Sequence, residues 1–304
     1  MAKMYAFCSC CGRSFHVSTM TATVSRKRGN RNEFMCADCA SHNGGYHTAN
    51  NEVMGKVKKN GVFCGIELEC AYSDDYCRNA MFEYGFIPTH DGSLNSDGDG
   101  ARYGWYDGNS CEYVSGIMQG LNMASKFALT ADHMMSEGHL KVNDSCGTHF
   151  HVSIDSMKDG DGNKTYMGYI RRFYNSLFVP LCNAMKDYPE ATEALFGRNF
   201  TGYAKPITMA TTQSSHNDRY YFINCMADNN IEFRLNKFVS GKQYQNLMKM
   251  EVEMVKCIVT NFCEHFMDTE WDKTRYEKRT HYRKHKADVT AQKLVKIFRK
   301  YANC

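Results

Sequence analysis

Proline is scarce in this sequence, and the signals of secretion and membrane insertion are missing. Only 4 of the 304 residues are proline, so we predict no proline-rich linker. The N-terminal stretch MAKMYAFCSCCG lacks the apolar segment of a signal peptide. No apolar run reaches the length of a membrane span. We therefore expect a cytoplasmic protein without membrane contact.

The motifs of several enzyme classes are also missing. Neither G-x-S-x-G nor G-x-G-x-x-G occurs, so nothing favours a serine hydrolase or a dinucleotide-binding enzyme. The stretch DGDGNKT, residues 159–165, lacks the glycine that precedes the lysine of a phosphate-binding loop. It also lacks the glycine and the final glutamate of an EF-hand loop, so it predicts a hairpin turn.

The overall charge and the cysteine count set only loose limits on function. The formal net charge of +4 permits an anionic ligand or a nucleic acid but requires neither. The 15 cysteines are numerous, and many lie within apolar runs, for example Cys64, Cys70, Cys182 and Cys257. Cysteines in such runs are typical of small buried side chains in a reducing compartment.

Two cysteine pairs near the N-terminus have the spacing of a zinc site. Cys8 and Cys11 form one C-x-x-C, Cys36 and Cys39 form a second, and four thiolates of this kind bind tetrahedral zinc. Roughly two dozen residues separate the pairs, which leaves room for a hairpin. That hairpin is basic, with Arg26, Lys27, Arg28 and Arg31. We predict a structural zinc ribbon over residues 1–46 and a linker over residues 47–59. The ribbon either contacts its own domain or binds nucleic acid or protein.

Several later segments alternate between apolar and polar residues, as strands with one buried face do. The predicted polar faces carry Glu67 and Glu69 in VFCGIELEC, His149 and His151 in CGTHFHVSID, and Glu232 and Arg234 in NNIEFRLNKF. A further strand, SCEYVSG, carries Glu112 and leads into a helix predicted from about Ile117. The stretch DRYYFINC, residues 218–225, predicts a strand joined to the Glu232 strand by a turn in MADNN.

Each polar face alone is typical of a solvent-facing strand, a structural histidine or a cross-strand ion pair. Together they place glutamates and two histidines on one side of a sheet with little lysine. If the strands are neighbours, the carboxylates would repel one another in a low-dielectric site, and divalent cations relieve such repulsion. Carboxylates with one or two histidines favour Mg²⁺ or Mn²⁺ over structural zinc. Arg234, beside them, is predicted to face a phosphoryl group.

Three long segments have apolar residues at helical spacing and follow predicted strands, at residues 116–138, 165–188 and 242–267. Helices that cover one face of an antiparallel sheet leave the other face free for the polar residues. We therefore predict an α+β fold, with the main domain over residues 60–270. A basic helical tail over residues 271–304 is expected to be solvated, or else to contact an anionic partner.

The order of these motifs resembles the amidoligase family, part of the glutamine-synthetase-like carboxylate–amine ligase superfamily and often found in phages. The resemblance covers roughly residues 60–265. It consists of G-x-E-x-E in VFCGIELEC, then HDGSL, CEYVSGIM, CGTHFHV, RYYFIN and IEFRLNKF. Gly116 stands where a proline is common in the family. The zinc ribbon and the basic tail lie outside the family core.

The resemblance implies a curved antiparallel sheet with helices on its convex face and a concave face that binds ATP and two Mg²⁺ ions. It implies metal binding by Glu67, Glu69, Glu112 and Glu232, and metal or nucleotide binding by either His149 or His151. Arg234 matches the arginine that contacts phosphate. Arg219, in RYYFIN, is a second candidate for stabilising the transferred phosphoryl group. Arg198 and Lys205 are candidates for phosphate or substrate carboxylate contact, and a solvated loop would explain both equally well.

The implied reaction forms an amide through an acyl phosphate: ATP phosphorylates a carboxylate, and an amine then displaces phosphate. The carboxylate and the amine could be amino acids, peptides or a modified nucleotide, and a phage enzyme would act in the host cytoplasm. A metal-dependent hydrolase that uses His149 and His151 is the first alternative. A non-catalytic zinc-ribbon adaptor for nucleic acid or protein is the second.

Overall fold

The structure of the protein is a computed structural model. It describes residues 5–7, 14–16, 20–25, 31–36, 53–54, 61–83, 86–89, 94, 110–115, 117–154, 166–213, 220–227, 230–263 and 276–304. The chain divides into two compact units, and neither is a continuous stretch of sequence. Unit 1 comprises Met1–Lys56 and Gly65–Gly147, and unit 2 comprises Val57–Cys64 and Thr148–Cys304. The predicted domain boundaries stay predictions.

Unit 1 is built mainly from short strands. They are β1 (Tyr5–Phe7), β2 (Ser14–His16), β3 (Met20–Ser25), β4 (Arg31–Cys36), β5 (Val53–Met54), β6 (Val62–Cys70), β7 (Tyr72–Ser73), β8 (Phe86–Thr89), β9 (Cys111–Ser115), β10 (Ile117–Gln119) and β11 (Leu140–Lys141). Its helices are α1 (Asp75–Glu83) and α2 (Asn122–Ser136). The pairs β1–β2, β3–β4, β6–β9, β8–β9 and β7–β11 are antiparallel, and β5–β10 is parallel. The first three residues of β6 belong to unit 2.

The hairpin expected between the two cysteine pairs is present. Strands β3 and β4 pair in register from Met20 opposite Cys36 to Ser25 opposite Arg31. Cys36 is thus the last residue of β4, whereas Cys8, Cys11 and Cys39 lie outside the described residues. The segment predicted as a linker contains β5.

The alternation predicted for the first glutamate strand is confirmed. Cys64, Ile66, Leu68 and Cys70 of β6 are almost completely buried. The thiol of Cys70 lies 3.3 Å from that of Cys111 on β9, and burial raises the pKa of Cys70 well above its ordinary value. A protonated, enclosed thiol is a packing residue, so the prediction that these cysteines belong to the core holds.

Helix α2 begins later than the sequence predicts. The helix expected from about Ile117 starts at Asn122, because Ile117–Gln119 forms β10 and pairs with β5. Gly120 then adopts a φ of +72°, which a glycine tolerates readily and which ends the strand before the helix starts. Helix α2 packs on α1, β10 and β11, and its Phe127 stacks on Phe86 with ring centroids 3.8 Å apart.

Unit 2 combines a small antiparallel sheet with a group of helices. Its elements are β12 (Thr148–Ile154), α3 (Tyr166–Arg172), α4 (Tyr174–Asp187), α5 (Pro189–Phe196), β13 (Ile223–Asn224), β14 (Ile231–Phe233), α6 (Gly241–Ile258), a π-helical turn (Val259–Cys263) and α7 (Tyr276–Ala302). Strand β14 pairs with both β12 and β13, all antiparallel. Strands β13 and β14 are shorter than predicted, although Ile231, Phe233 and Leu235 are buried as the alternation requires.

The interpretation of the C-terminal segment as a solvated tail is wrong for its second half. Helix α7 packs against α4, α5 and α6. Its apolar residues repeat at helical spacing and are buried, namely Ala287, Ala291, Leu294, Ile297 and Phe298. The basic residues made the helix look polar, but one face completes the core of unit 2.

The mixed helices and antiparallel strands confirm the predicted α+β class in both units. None of the helices in the described part of the chain is both long enough and apolar enough to cross a membrane.

Candidate functional site

The acidic pair of unit 1 consists of Glu69 on β6 and Glu112 on β9. These residues are direct partners in the antiparallel register, so their side chains extend on the same side of the sheet. Each offers a carboxylate oxygen within 4.8 Å of the other. Glu69 is only 7% exposed, and Glu112 is half-buried. Two carboxylates this close repel unless a cation or a proton lies between them.

Backbone groups hold Glu69 in place. The carboxylate of Glu69 accepts a hydrogen bond from the backbone N–H of Gly147, and the Glu69 N–H donates to the Gly147 carbonyl at 3.0 Å. Nearby, the Ile66 N–H donates to the Ser115 hydroxyl at 2.8 Å. Glu67, two residues before Glu69, is half-buried and lies on the same face of β6.

Glu232 on β14 is the centre of the polar cluster of unit 2. The register places His151 of β12 directly opposite it on one side and Asn224 of β13 on the other. Its Oε1 atom accepts a hydrogen bond from Arg234 and lies 3.6 Å from Nδ1 of His149. Its Oε2 atom accepts from Nδ2 of Asn224 at 2.5 Å. One buried carboxylate thus receives an arginine, an amide and a histidine.

Arg234 has a donor that Glu232 does not use. The Arg234 side chain is 14% exposed, and its Nε atom is buried without a hydrogen-bond partner among the described residues. A buried guanidinium N–H costs free energy unless it is paired, and guanidinium groups bind phosphate and carboxylate oxygens with two donors at once. This arrangement fits an anionic ligand beside Glu232.

The two histidines of β12 differ in their contacts. His149 is buried and lies against Glu232, whereas the Nδ1 atom of His151 lies 3.3 Å from Oδ1 of Asn230. The two side chains point to the same face because they are two residues apart in a strand. Of the two, His149 has the geometry to share a cation with a carboxylate.

The other predicted phosphate contacts have different surroundings. Arg198 donates from Nε to the Leu235 carbonyl at 2.9 Å, and from Nη2 to the carbonyls of Arg234 and Asn236 at 3.3 and 3.2 Å. These contacts support a role in holding the backbone. Lys205 is exposed; its backbone N–H donates to the Tyr220 carbonyl, and its carbonyl accepts from the Phe222 N–H. Arg219 lies outside the described residues.

Sequence reasoning missed two residues that hold the glutamates, Asn224 and Gly147. Asn224 stands opposite Glu232 in the β13–β14 hairpin, and its Oδ1 accepts from the Met226 N–H at 2.9 Å, which orients its amide toward Glu232. The strand predicted over residues 218–225 contained the signal, because a hairpin places Asn224 on the face of Glu232. Gly147 acts through its backbone, so its side-chain type held no signal.

The comparisons with known proteins are sparse. No family model and no curated protein matches the sequence. Among solved structures, one similar chain is described as a novel glutamine synthase homolog, with 10% sequence identity and a TM-score of 0.30. The similarity covers 79% of this chain and 66% of the other, so the chain spans about two thirds of that structure's length. A similarity at this level transfers no residue role and no activity.

Proposed function

We propose that the protein is an ATP-dependent carboxylate–amine ligase that forms an amide through an acyl phosphate. The observation that carries the proposal is the surroundings of Glu232: a buried carboxylate beside His149 and Asn224, paired with an arginine that keeps a buried donor unused. This combination suits a metal-bound phosphate. The motif order that resembles the amidoligase family supports the same conclusion.

The donor set fits divalent magnesium. In unit 1, the paired carboxylates of Glu69 and Glu112 offer oxygens within 4.8 Å of each other; in unit 2, His149 and Glu232 offer a nitrogen and an oxygen within the same limit. Hard oxygen ligands and few histidines favour Mg²⁺. We propose that these four residues and Glu67 bind two Mg²⁺ ions, which would neutralise the charge of ATP phosphates and polarise them for attack.

The residues of the chain then have separate tasks. Arg234 contacts the transferred phosphoryl group, with Arg219 as a second candidate, and stabilises the charge that develops as a substrate carboxylate oxygen attacks the terminal phosphorus and ADP leaves. Glu232 fixes the Arg234 guanidinium, and Asn224 fixes Glu232. The amine next attacks the acyl carbon, phosphate departs, and the amine loses a proton to a base.

The experiment that tests the activity measures phosphate release from ATP with pools of candidate amines and carboxylates. A ligase releases phosphate only when both pools and Mg²⁺ are present, and mass spectrometry then finds an amide product. Hydrolysis without ATP would establish the metal-dependent hydrolase instead. A protein that neither binds ATP nor changes any substrate would be the adaptor.

We also propose that Cys8, Cys11, Cys36 and Cys39 bind a structural zinc ion. The β3–β4 hairpin, which ends at Cys36, supports this proposal because zinc ribbons present their ligands at hairpin ends. Metal analysis of the purified protein should find one zinc per chain, and Cys36→Ser should lose it. A zinc-free wild-type protein would contradict the assignment.

A further inference from the structure

The backbone of residues 234–236 follows β14 outside a regular strand ladder. The carbonyl of each of these three residues accepts a hydrogen bond. The carbonyls of Arg234, Leu235 and Asn236 all accept hydrogen bonds from the guanidinium of Arg198. The Asn236 carbonyl also accepts from the Thr148 N–H at 2.8 Å. Thr148 immediately precedes His149, so this short segment connects the backbone of both ligand-facing residues.

The position of Arg198 depends on the glycine before it. Gly197 ends α5 with a φ of +76°, and a Cβ there would lie 2.6 Å from the Lys237 carbonyl. The Lys237 N–H in turn donates to the Phe196 carbonyl at 2.8 Å. The end of α5 and the segment 234–237 therefore pack closely. This packing fixes the direction from which the Arg198 side chain reaches the carbonyls of that segment.

A second side chain holds the same segment from helix α6. Nδ2 of Asn236 donates to Oε2 of Glu251 at 3.3 Å, and both residues are 0% exposed. Burial raises the pKa of Glu251 well above its ordinary value, which favours the neutral carboxyl group. A neutral carboxyl group can remain in an apolar helix face without a cation.

We propose that Arg198 and Glu251 are positioning residues that place Arg234 and His149 for ligand binding by holding the segment between Arg234 and Asn236. This inference rests on the proposed function for its purpose and on the hydrogen bonds above for its mechanism. Arg198 acts on the backbone carbonyls and Glu251 acts through Asn236. Neither residue contacts phosphate in this account.

The first test compares conservative and disruptive changes at Glu251. Glu251→Gln keeps an oxygen that accepts the hydrogen bond from Asn236. Glu251→Met has a side chain of similar length that cannot form this hydrogen bond. We expect Glu251→Met to weaken Mg·ATP binding about tenfold and Glu251→Gln to stay within about twofold, measured by calorimetry well below the unfolding temperature. Glu253→Gln is the matched control, since Glu253 lies on the same helix and pairs with Lys300. Equal affinities for Met and Gln variants would overturn the role of Glu251.

The second test separates a backbone clamp from a phosphate ligand at Arg198. A lysine keeps the charge but not the fork that bonds three carbonyls. We expect Arg198→Lys and Arg198→Met to weaken Mg·ATP binding equally, with the salt dependence of the affinity unchanged from wild type. If lysine restored the affinity and methionine reduced its salt dependence, Arg198 would be a phosphate ligand and the inference would be wrong.

A third measurement needs no ligand and separates this inference from the proposed function. Hydrogen exchange followed by NMR should show the Thr148 amide and the Arg198 Nε–H exchanging at least about tenfold faster in Glu251→Met than in Glu251→Gln. If wild type binds no ATP, the proposed function fails, and these exchange rates alone decide the inference. Unchanged rates would contradict it.

Discussion

The two units hold their acidic residues in different ways. In unit 1, Glu69 and Glu112 stand opposite each other, and the backbone N–H of Gly147 donates to the carboxylate of Glu69. In unit 2, Glu232 is surrounded by side chains: Arg234, Asn224 and His149. The first arrangement brings like charges together, and the second brings unlike groups together.

This difference predicts that removing a carboxylate from the metal-free protein changes its stability in opposite directions in the two units. A pair of facing carboxylates is strained without a cation and should gain most when one binds. A carboxylate that already has an arginine and an amide is preorganised, so its removal should cost stability even without metal. Four substitutions test these two arrangements and the residues that support them.

The largest effect is expected from Glu232→Ala. It leaves the half-buried Arg234 and the buried His149 without their shared partner, so the free energy of unfolding without divalent cations should fall by about 3 kcal/mol. Urea denaturation measures the change. Glu193→Ala, which removes an exposed carboxylate of the same unit, is the control and should stay within about 0.5 kcal/mol. Equal losses for the two variants would show that the cluster is not preorganised.

The next largest effect is expected from Gly197→Ala, which disturbs the contact that carries Arg198. The positive φ and the 2.6 Å approach to the Lys237 carbonyl should together lower the free energy of unfolding by about 2 kcal/mol. Gly202→Ala is the control, because a Cβ at Gly202 meets nothing within 4 Å. Comparable stability of the two variants in urea would contradict the close fit.

The third effect depends on pH and concerns Glu251. Because its folded-state pKa is raised, the folded protein keeps a proton that the unfolded chain loses above about pH 4.3, so stability falls as pH rises from there. Relative to Glu251→Gln, the free energy of unfolding of wild type should fall by up to about 1.4 kcal/mol per pH unit, until the pH reaches the folded-state pKa of Glu251.

Glu253 provides a control of opposite sign for this pH dependence. The ion pair with Lys300 lowers the pKa of Glu253, so its contribution is present above the unfolded-state pKa and is lost as pH falls through the folded-state pKa. Chemical denaturation across a pH series should therefore separate the two substitutions. A pH-independent difference between wild type and Glu251→Gln would show that Glu251 is ionised or exposed.

The smallest effect on the metal-free protein is expected from Glu112→Gln. Relief of the repulsion with Glu69 should raise the free energy of unfolding by up to about 1 kcal/mol in the presence of a chelator. The same variant should lose most of the thermal stabilisation that Mg²⁺ or Mn²⁺ gives wild type. Glu137→Gln, an exposed change in the same unit, should alter neither value. Destabilisation of the metal-free Glu112→Gln protein would contradict the repulsion.

Period-two patterns predicted the strand faces well, because burial on one side of a sheet imposes alternation directly on the residues. The buried faces of β6, β12 and β14 follow it. The helix start at Asn122 could not be predicted, since β10 forms through pairing with the distant β5. The core role of α7 was hidden because its apolar stripe is narrow and its surface is strongly basic.

The candidate site residues were predictable only as residue types on polar faces. Their supports were not, because Gly147 and Arg198 act on or through backbone groups, which a sequence pattern does not identify. Glu251 lies within an amphipathic helix, where a single buried carboxyl group resembles a boundary position until the packing is known.

The most direct test of the account is calorimetric titration of ATP into wild type, Glu67→Gln and Glu232→Gln, each with Mg²⁺ and with a chelator. We predict that wild type binds ATP only with Mg²⁺ and that each substitution weakens this binding at least about tenfold. Variants that bind ATP as wild type does, or wild-type binding that ignores Mg²⁺, would contradict the assignment of these glutamates to a metal–nucleotide function.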